Sequence, residues 1–437
     1  MKYLIIIVYV FHFVSTVPAN ESAREGTLPS TKFSISNVVP GDGNVYLSWN
    51  EVPGATGYLI NYGRNFRTSA RVVKSAAASF TVKGLENGAT YHFTVLTVPE
   101  AGPTQKTPQI TITLPERSGI QARQLGLLIN DNDPDSVVLG EYYRTRRNIP
   151  SENIVHLNIS KVPEISRAAF QLLKTQVDLM LPETVQAVAI AWTIPSRVEC
   201  NSITSALALG FMDAPCIKNT CSWATSSPYY GSNSTHPFTD FKMRPAMMLA
   251  ALSLEQAKQL VDRGIASDGT QPHGSAYIMN TTDATRSLRA RIFPASNLGK
   301  YLSPYVDVQI KNADWISGTT DALFYFQGLQ AVNHIGMNTY PPGAVADHLT
   351  SYGGMLTDSY QMSALHFIAG GATGTFGTVS EPCAYSQKFP DPSIMISRYT
   401  KGETLIEAYW KSVLQTFQGA FVGEPLANPW KQIISRH

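Results

Sequence analysis

Residues 124–157 read QLGLLINDNDPDSVVLGEYYRTRRNIPSENIVHL, and the pattern inside them changes twice. The apolar run 124–130 reads as a buried strand. Pro134 and Asp135 then open a helical segment reaching Arg147, and 154–157 (IVHL) is a second strand. The same alternation continues along the chain. A helix is predicted from Pro163 to Leu179, a strand over 187–192 (AVAIAW), and a helix from Ser253 to Gly264 with a Ser-x-x-Gln capping box. Strands follow over 276–280, 305–310, 322–327 and 372–379. A last amphipathic helix runs from Thr404 to Gly419, capped by Glu407, with Leu405, Ile406, Tyr409, Val413 and Leu414 on one face. Strands that alternate with helices predict a doubly wound α/β domain over 124–437, with a mostly parallel sheet wrapped on both sides.

Upstream the period is two. Short alternating runs at 32–36, 44–49, 57–63, 79–82, 90–95 and 109–114 are separated by turn residues such as Pro-Gly-Asp-Gly and Glu-Asn-Gly, which predicts a small all-β sandwich. Trp49 closes the second run, Tyr58 opens the third, and Leu85 precedes Tyr91 at a corner between sheets. With these four residues in order, 30–115 resembles a fibronectin type III domain. The resemblance implies an extracellular spacer or adhesion module without chemistry of its own. Residues 116–123 form the expected linker.

A length of 437 residues suits two domains, and 43% hydrophobic against 15% charged residues excludes bulk disorder. Thirty-four Lys+Arg against 32 Asp+Glu give a net charge of +2, which supplies no basic field for nucleic acid or an anionic membrane surface. The apolar stretch 4–14 (LIIIVYVFHFV) falls short of the roughly 20 residues a spanning helix needs. Lys2 before it and Ala19 after it fit a secretory signal peptide, 1–19. No second apolar run has spanning length. The expected product is therefore a secreted, soluble protein with an extracellular ligand or protein partner, no nucleic-acid partner, and no membrane span once the signal is cleaved.

In an oxidising compartment Cys200, Cys216, Cys221 and Cys383 form two disulfides, for which three pairings exist. The favoured pairing is 216–221 with 200–383, because Cys200 and Cys383 each follow a predicted parallel strand. Asn158, Asn233 and Asn280, together with Asn20, stand in glycosylation sequons.

Six separated motifs in the second domain occur in order: 127–136 (LLINDNDPDS), 140–150 (GEYYRTRRNIP), 198–206 (VECNSITSA), 347–354 (DHLTSYGG), 371–383 (GATGTFGTVSEPC) and 423–427 (GEPLA). Together they resemble a family of uncharacterised secreted bacterial proteins. More remotely, Gly371 to Gly377, Thr404-Leu-Ile-Glu-Ala408 and Gly423-Glu-Pro425 are similar to gingipain-type cysteine peptidases, which implies a caspase-like or flavodoxin-like fold. Such a peptidase needs a His-Gly corner and a cysteine at the end of a later buried strand. Here His334 is followed by Ile, and Asp347-His348 stands where the cysteine would be.

Open α/β sheets bind ligands beyond the carboxyl ends of their strands. This selects Asp131, Asp133, Asp135, Thr193, Arg197, Thr282, Asp283, Asp347, His348 and Glu381. His348 beside Asp347, with Ser351 and Glu381, offers general-base chemistry; its alternative is a buried histidine that fixes a loop. Cys383 is a nucleophile only if it is free. Asp131, Asp133 and Asp135 supply hard oxygens suited to Ca²⁺ or Mg²⁺, whereas a carboxylate capping the next helix explains the same residues without a metal. No other cofactor is implied. Two functions follow: a binding or surface-associated protein on a hydrolase-like scaffold without its thiol, or an active, peptidase-like hydrolase using His348.

Overall fold

The computed structural model describes residues 32–41, 44–65, 70–85, 89–114, 119–213, 216, 220–293 and 302–431. The expected signal peptide and Asn20 lie outside them. Two compact units, 1–116 and 117–437, make up the chain.

The first unit is a sandwich of two antiparallel sheets. One orders β1 (Ile35–Gly41), β2 (Asn44–Trp49) and β5 (Ser79–Lys83); the other orders β4 (Arg71–Ser75), β3 (Ala55–Gly63), β6 (Thr90–Pro99) and β7 (Ile110–Thr113) as β4-β3-β6-β7. Alternate residues turn inward, as the period-two pattern requires: Val45, Leu47 and Trp49 on β2 meet Tyr58, Ile60 and Tyr62 on β3, with Phe93 and Val95 from β6. Trp49 packs edge-on to Tyr58 at 5.2 Å, and the Tyr58 hydroxyl accepts from Val52 N at 3.1 Å. β4 was not expected, because its residues are largely exposed and carry no apolar alternation.

The second unit begins with β8 (Leu125–Asn130), α1 (Pro134–Arg147), β9 (Ile154–Leu157), β10 (Glu164–Ile165), α2 (Arg167–Met180) and β11 (Ala187–Ile190). After these come β12 (Arg197–Val198), β13 (Asn201–Ser202), α3 (Ile203–Leu209), α4 (Pro237–Phe241), β14 (Ala246–Met248) and α5 (Leu254–Ser267). The chain continues through β15 (Gly274–Met279), α6 (Leu288–Ile292), β16 (Val306–Lys311), β17 (Ala322–Gln327), β18 (Val345–His348) and α7 (Leu365–Gly370). It closes with β19 (Gly374–Thr378), α8 (Pro392–Thr400), α9 (Leu405–Ser412) and β20 (Gly419–Gly423).

Ten strands form one sheet in the order β16-β15-β17-β18-β19-β20-β14-β11-β8-β9. Every pair from β16 to β19 is parallel, as is every pair from β14 to β9. The exception is β20, which runs against β19 through a five-residue ladder. It meets β14 at a single bridge, Met248–Val422, whose local bonding is parallel. Side-chain contacts fix its direction. Glu424, just past β20, accepts from Arg147 Nε at 3.0 Å and Tyr143 Oη at 2.6 Å near the end of α1, at the edge where β8 begins. At the opposite edge Ser202 N, beyond β11, donates to Phe417 O just before β20 at 2.8 Å.

Local chemistry explains the helices. Asp133 caps α1 by accepting from Asp135 N, Pro134 stands in its first turn, and Asn148 ends it in the left-handed conformation at φ 54°. Thr404 and Glu407 form the capping box expected for α9. That helix stops at Ser412 rather than Gly419, since Gly419 is already paired with Thr378 as the first residue of β20. Part of the expected linker, 119–123, packs with the second unit. Ile120 is buried in the second unit and its N–H donates to Glu407 Oε2 at 2.8 Å.

Candidate functional site

The carboxyl ends of β8, β11 and β14 open on a cleft of about 510 Å³. Trp192, Ala251, Leu139 and Leu365 supply apolar wall, while Thr193, Ser253, Lys161 and the exposed His366 supply polar groups. Two fourteen-residue helices, α1 and α5, start at this cleft, each N-capped there by a side chain, Asp133 and Ser253, so the positive ends of both helix dipoles face the same space. The fourth side is the segment between β18 and α7, contributing Leu356, Thr357, Gln361 and Met362.

Arg197 holds that segment in place. Its guanidinium makes two parallel bonds to Asp358, at 2.8 and 2.7 Å, and a third to Glu164 at 2.8 Å. The paired cation keeps the Asp358 carboxyl below its ordinary pKa. Gly354 N donates to Thr378 O at 2.9 Å, and the backbones of Gly354 and Gly377 touch where any Cβ on Gly377 would stand. Thr350 Oγ1 and Tyr352 N both donate to Gln361 Oε1.

The inner face of this segment seals the residues expected to be reactive. His348 and Asp347 are both 0% exposed. Asp347 is paired with buried Arg289, and burial nonetheless raises its carboxyl above the ordinary value. His348 Nδ1 lies 3.0 Å from Leu329 O, its ring meets Phe367 edge-on at 5.4 Å, and a Cβ on Gly353 would stand 2.8 Å from Nε2. Burial is the main cause that lowers the imidazole pKa to about 4. Ser351 is buried, and its carbonyl accepts from Thr378 Oγ1. Glu381 is elsewhere employed: its Oε1 accepts from Cys383 N at 2.7 Å, holding a turn in which Cys383 and Ala384 have φ 61° and 50°. No hydrogen bond joins His348, Ser351 and Glu381 to one another.

The cysteine pairing differs from expectation. Cys200 is bonded to Cys216 and Cys221 to Cys383, with Cα separations of 5.6 and 5.2 Å. The two strand-end loops do converge, since Ser380 Oγ donates to Cys200 O at 2.8 Å. α3 folds the chain back, however, and Asn201 bonds Met212 in both directions at 3.1 Å, so Cys216 comes over Cys200 first. Buried Lys388 donates to Thr220 O at 2.7 Å and brings the neighbouring Cys221 to Cys383; burial lowers this ammonium to about 8. Cys383 therefore has no free thiol.

The acidic loop diverges rather than forming a cage. Asp131 lies 2.7 Å from His156, Asp133 caps α1 and pairs with Lys161 at 2.7 Å, and Asp135 faces the cleft. Among the described residues, no three His, Cys, Asp or Glu side chains gather around a metal position. Asp283 pairs with Arg286, and Thr282 donates to Asp314. Asn158 and Asn233 are exposed, whereas the Asn280 amide donates to Asn312. Of the strand-end candidates, Asp133, Asp135 and Thr193 line the cleft. Sequence reasoning missed Trp192 and His366, since neither stands in a motif and the segment holding His366 carries no periodic signal.

Residues 19–113 match the family model described as fibronectin type III domain. The N-terminal unit is a fibronectin type III domain. Its two sheets carry the Trp49–Tyr58 contact and the buried Leu85 that the sequence pattern pointed to. Solved structures similar to the chain include the sixth fibronectin type III domain of human fibronectin type III domain containing protein 3, at 17% identity. That likeness covers 22% of this chain and 96% of the other, with a TM-score of 0.19. The fn3 domain of human collagen alpha-1(XX) chain is 20% identical over 22% of this chain and 98% of its own, TM-score 0.19. An Fn3-like protein from Clostridium thermocellum is 19% identical over 19% and 88%, TM-score 0.17. No curated protein matches the chain. The disulfides and the fibronectin type III domain are consistent with an extracellular location, and no helix among the described residues is long and apolar enough to cross a membrane.

Proposed function

We propose that this is a secreted binding protein in which a fibronectin type III domain accompanies an α/β domain built on a hydrolase-like scaffold. The α/β domain takes a small organic or peptide ligand into the cleft above β8, β11 and β14 without chemically changing it. One observation carries the reading: the polar residues that end β17 and β18 are consumed internally. Gln327 ends β17, and Asp347-His348 ends β18 where the gingipain-like pattern would place its cysteine. Gln327 is bonded to Tyr325, Gly328 and Asp314, and Asp347 to Arg289. All four cysteines are in disulfides, so no thiol is left to attack a carbonyl. The cleft has a volume typical of small-molecule sites, which range over about 300–1,000 Å³, and combines apolar wall with a few polar groups.

The test is a screen of the full chain against peptide, ester and glycan libraries, measuring binding and turnover together, and repeated with Ala251→Trp to fill the cleft. Saturable binding that weakens more than about tenfold in the variant, without turnover, is the expected result. Turnover that disappears in His366→Ala or His348→Asn would instead favour the hydrolase.

A further inference from the structure

His334 Nδ1 lies 3.0 Å from Met337 Sδ. Other nitrogen contacts to methionine sulfur are longer, 3.4 Å from Val332 N to Met362 and 3.8 Å from Gln176 to Met180. The Trp315 ring stands 5.4 Å from the imidazole, and Ser317 Oγ is 3.7 Å from the same sulfur. All three side chains are open to solvent, with Met337 61% exposed. The backbone is arranged to aim them. His334 adopts φ 60°, uncommon for a residue with a Cβ, at the start of a single 3₁₀ turn, Ile335–Met337. Asn338 Nδ2 and Met337 N both donate to His334 O at 3.0 Å.

We propose that His334 Nδ1 and Met337 Sδ, beside Trp315, bind a soft monovalent cation, Cu(I), for which Ag(I) is a redox-inert probe. A thioether is a soft donor that selects Cu(I) over hard cations, and imidazole suits copper. On binding, Nδ1 and Sδ each donate a lone pair and the imidazole proton resides on Nε2; no electron is transferred. The Trp315 ring, 5.4 Å from the imidazole, flanks the pair on one side. With every cysteine oxidised, thiolates do not compete. This site shares no residue with the cleft, so its fate is separate from that of the proposed function.

The experiment uses the full, disulfide-bonded chain with isotope-labelled methionine methyl groups, titrated with Ag(I), and with Cu(I) under anaerobic competition against a chromophoric chelator. One equivalent should shift the Met337 methyl resonance, and His334→Ala and Met337→Leu should each lower affinity at least about 100-fold, since even second-shell losses cost about 10–100-fold. Both positions are exposed, so the variants are expected to fold, and unchanged methyl resonances elsewhere verify this. A Met337 resonance unmoved at two equivalents, or equal affinity in Met337→Leu, would overturn the proposal.

Discussion

The imidazole of His348 illustrates how little a residue's identity says about its work. Next to Asp347 it has the composition of a reacting pair, and a buried histidine that fixes a loop fits the same residues. Burial decides, and burial depends on Gly353, Phe367 and Leu329, which come from other segments. The consequence is measurable. The unfolded chain binds a proton near the ordinary value of 6.5, while the folded ring, held at about 4, does not. Its stabilising contribution is therefore complete above about pH 6.5 and is lost as pH falls through about 4, amounting to about 3 kcal/mol. Asp347, with its pKa raised, acts with the opposite sign, and Arg289 and Arg286 add to the lowering at His348. His348→Asn keeps a donor for Leu329 O and removes the titration, so urea unfolding at pH 7 and pH 4.5 should reveal a shallower pH dependence in the variant. Identical slopes would mean that His348 is not the neutral group.

Among elements, those with a local signature were readable and those defined by their neighbours were not. α1, capped by Asp133 and opened by Pro134, and the apolar strand β17 lie where the sequence put them. β14, β18 and β20 escaped: Ala-Met-Met, Val-Ala-Asp-His and Gly-Ala-Phe-Val-Gly are short, buried throughout and without alternation, so only their partners make them strands. The disulfides carry the same lesson. Strand-end logic located the meeting place of Cys200 and Cys383, but the return of the chain after α3 is a tertiary event and exchanged the partners. The bridges close loops with sequence separations of 16 and 162, which in the chain-entropy account are worth about 3 and 5 kcal/mol. Replacing Cys221 and Cys383 by Ala should therefore lower the unfolding midpoint more than replacing Cys200 and Cys216. Non-reducing peptide mapping that recovers a Cys200–Cys383 peptide would refute both the pairing and the ranking.

At the scale of the whole molecule, the fibronectin type III domain was legible because its strands, turns and aromatic core residues all fall within 30–115. The cleft was legible only in outline: strand ends selected Thr193, Asp133 and Asp135, while the wall from Leu356 to Met362 depends on the Arg197–Asp358 bonds, across 161 positions. The reversed strand β20 sets a requirement on how the chain is made. It is the last strand among the described residues yet stands between β19 and β14, inside the sheet. A ribosome delivers the chain from its N-terminus, so until residues 419–423 emerge the two parallel blocks have no strand to join them, and β14 and β19 each expose an unpaired edge. The fibronectin type III domain can fold early; the larger domain must wait for residues 419–423 and crosses that interval with aggregation-prone edges, a reason to keep the nascent chain bound by a chaperone. A chain ending at Gln418 should accordingly form aggregates or yield a protease-sensitive second domain. A soluble product with the protease resistance of the full chain would show that the sheet closes without its final strand.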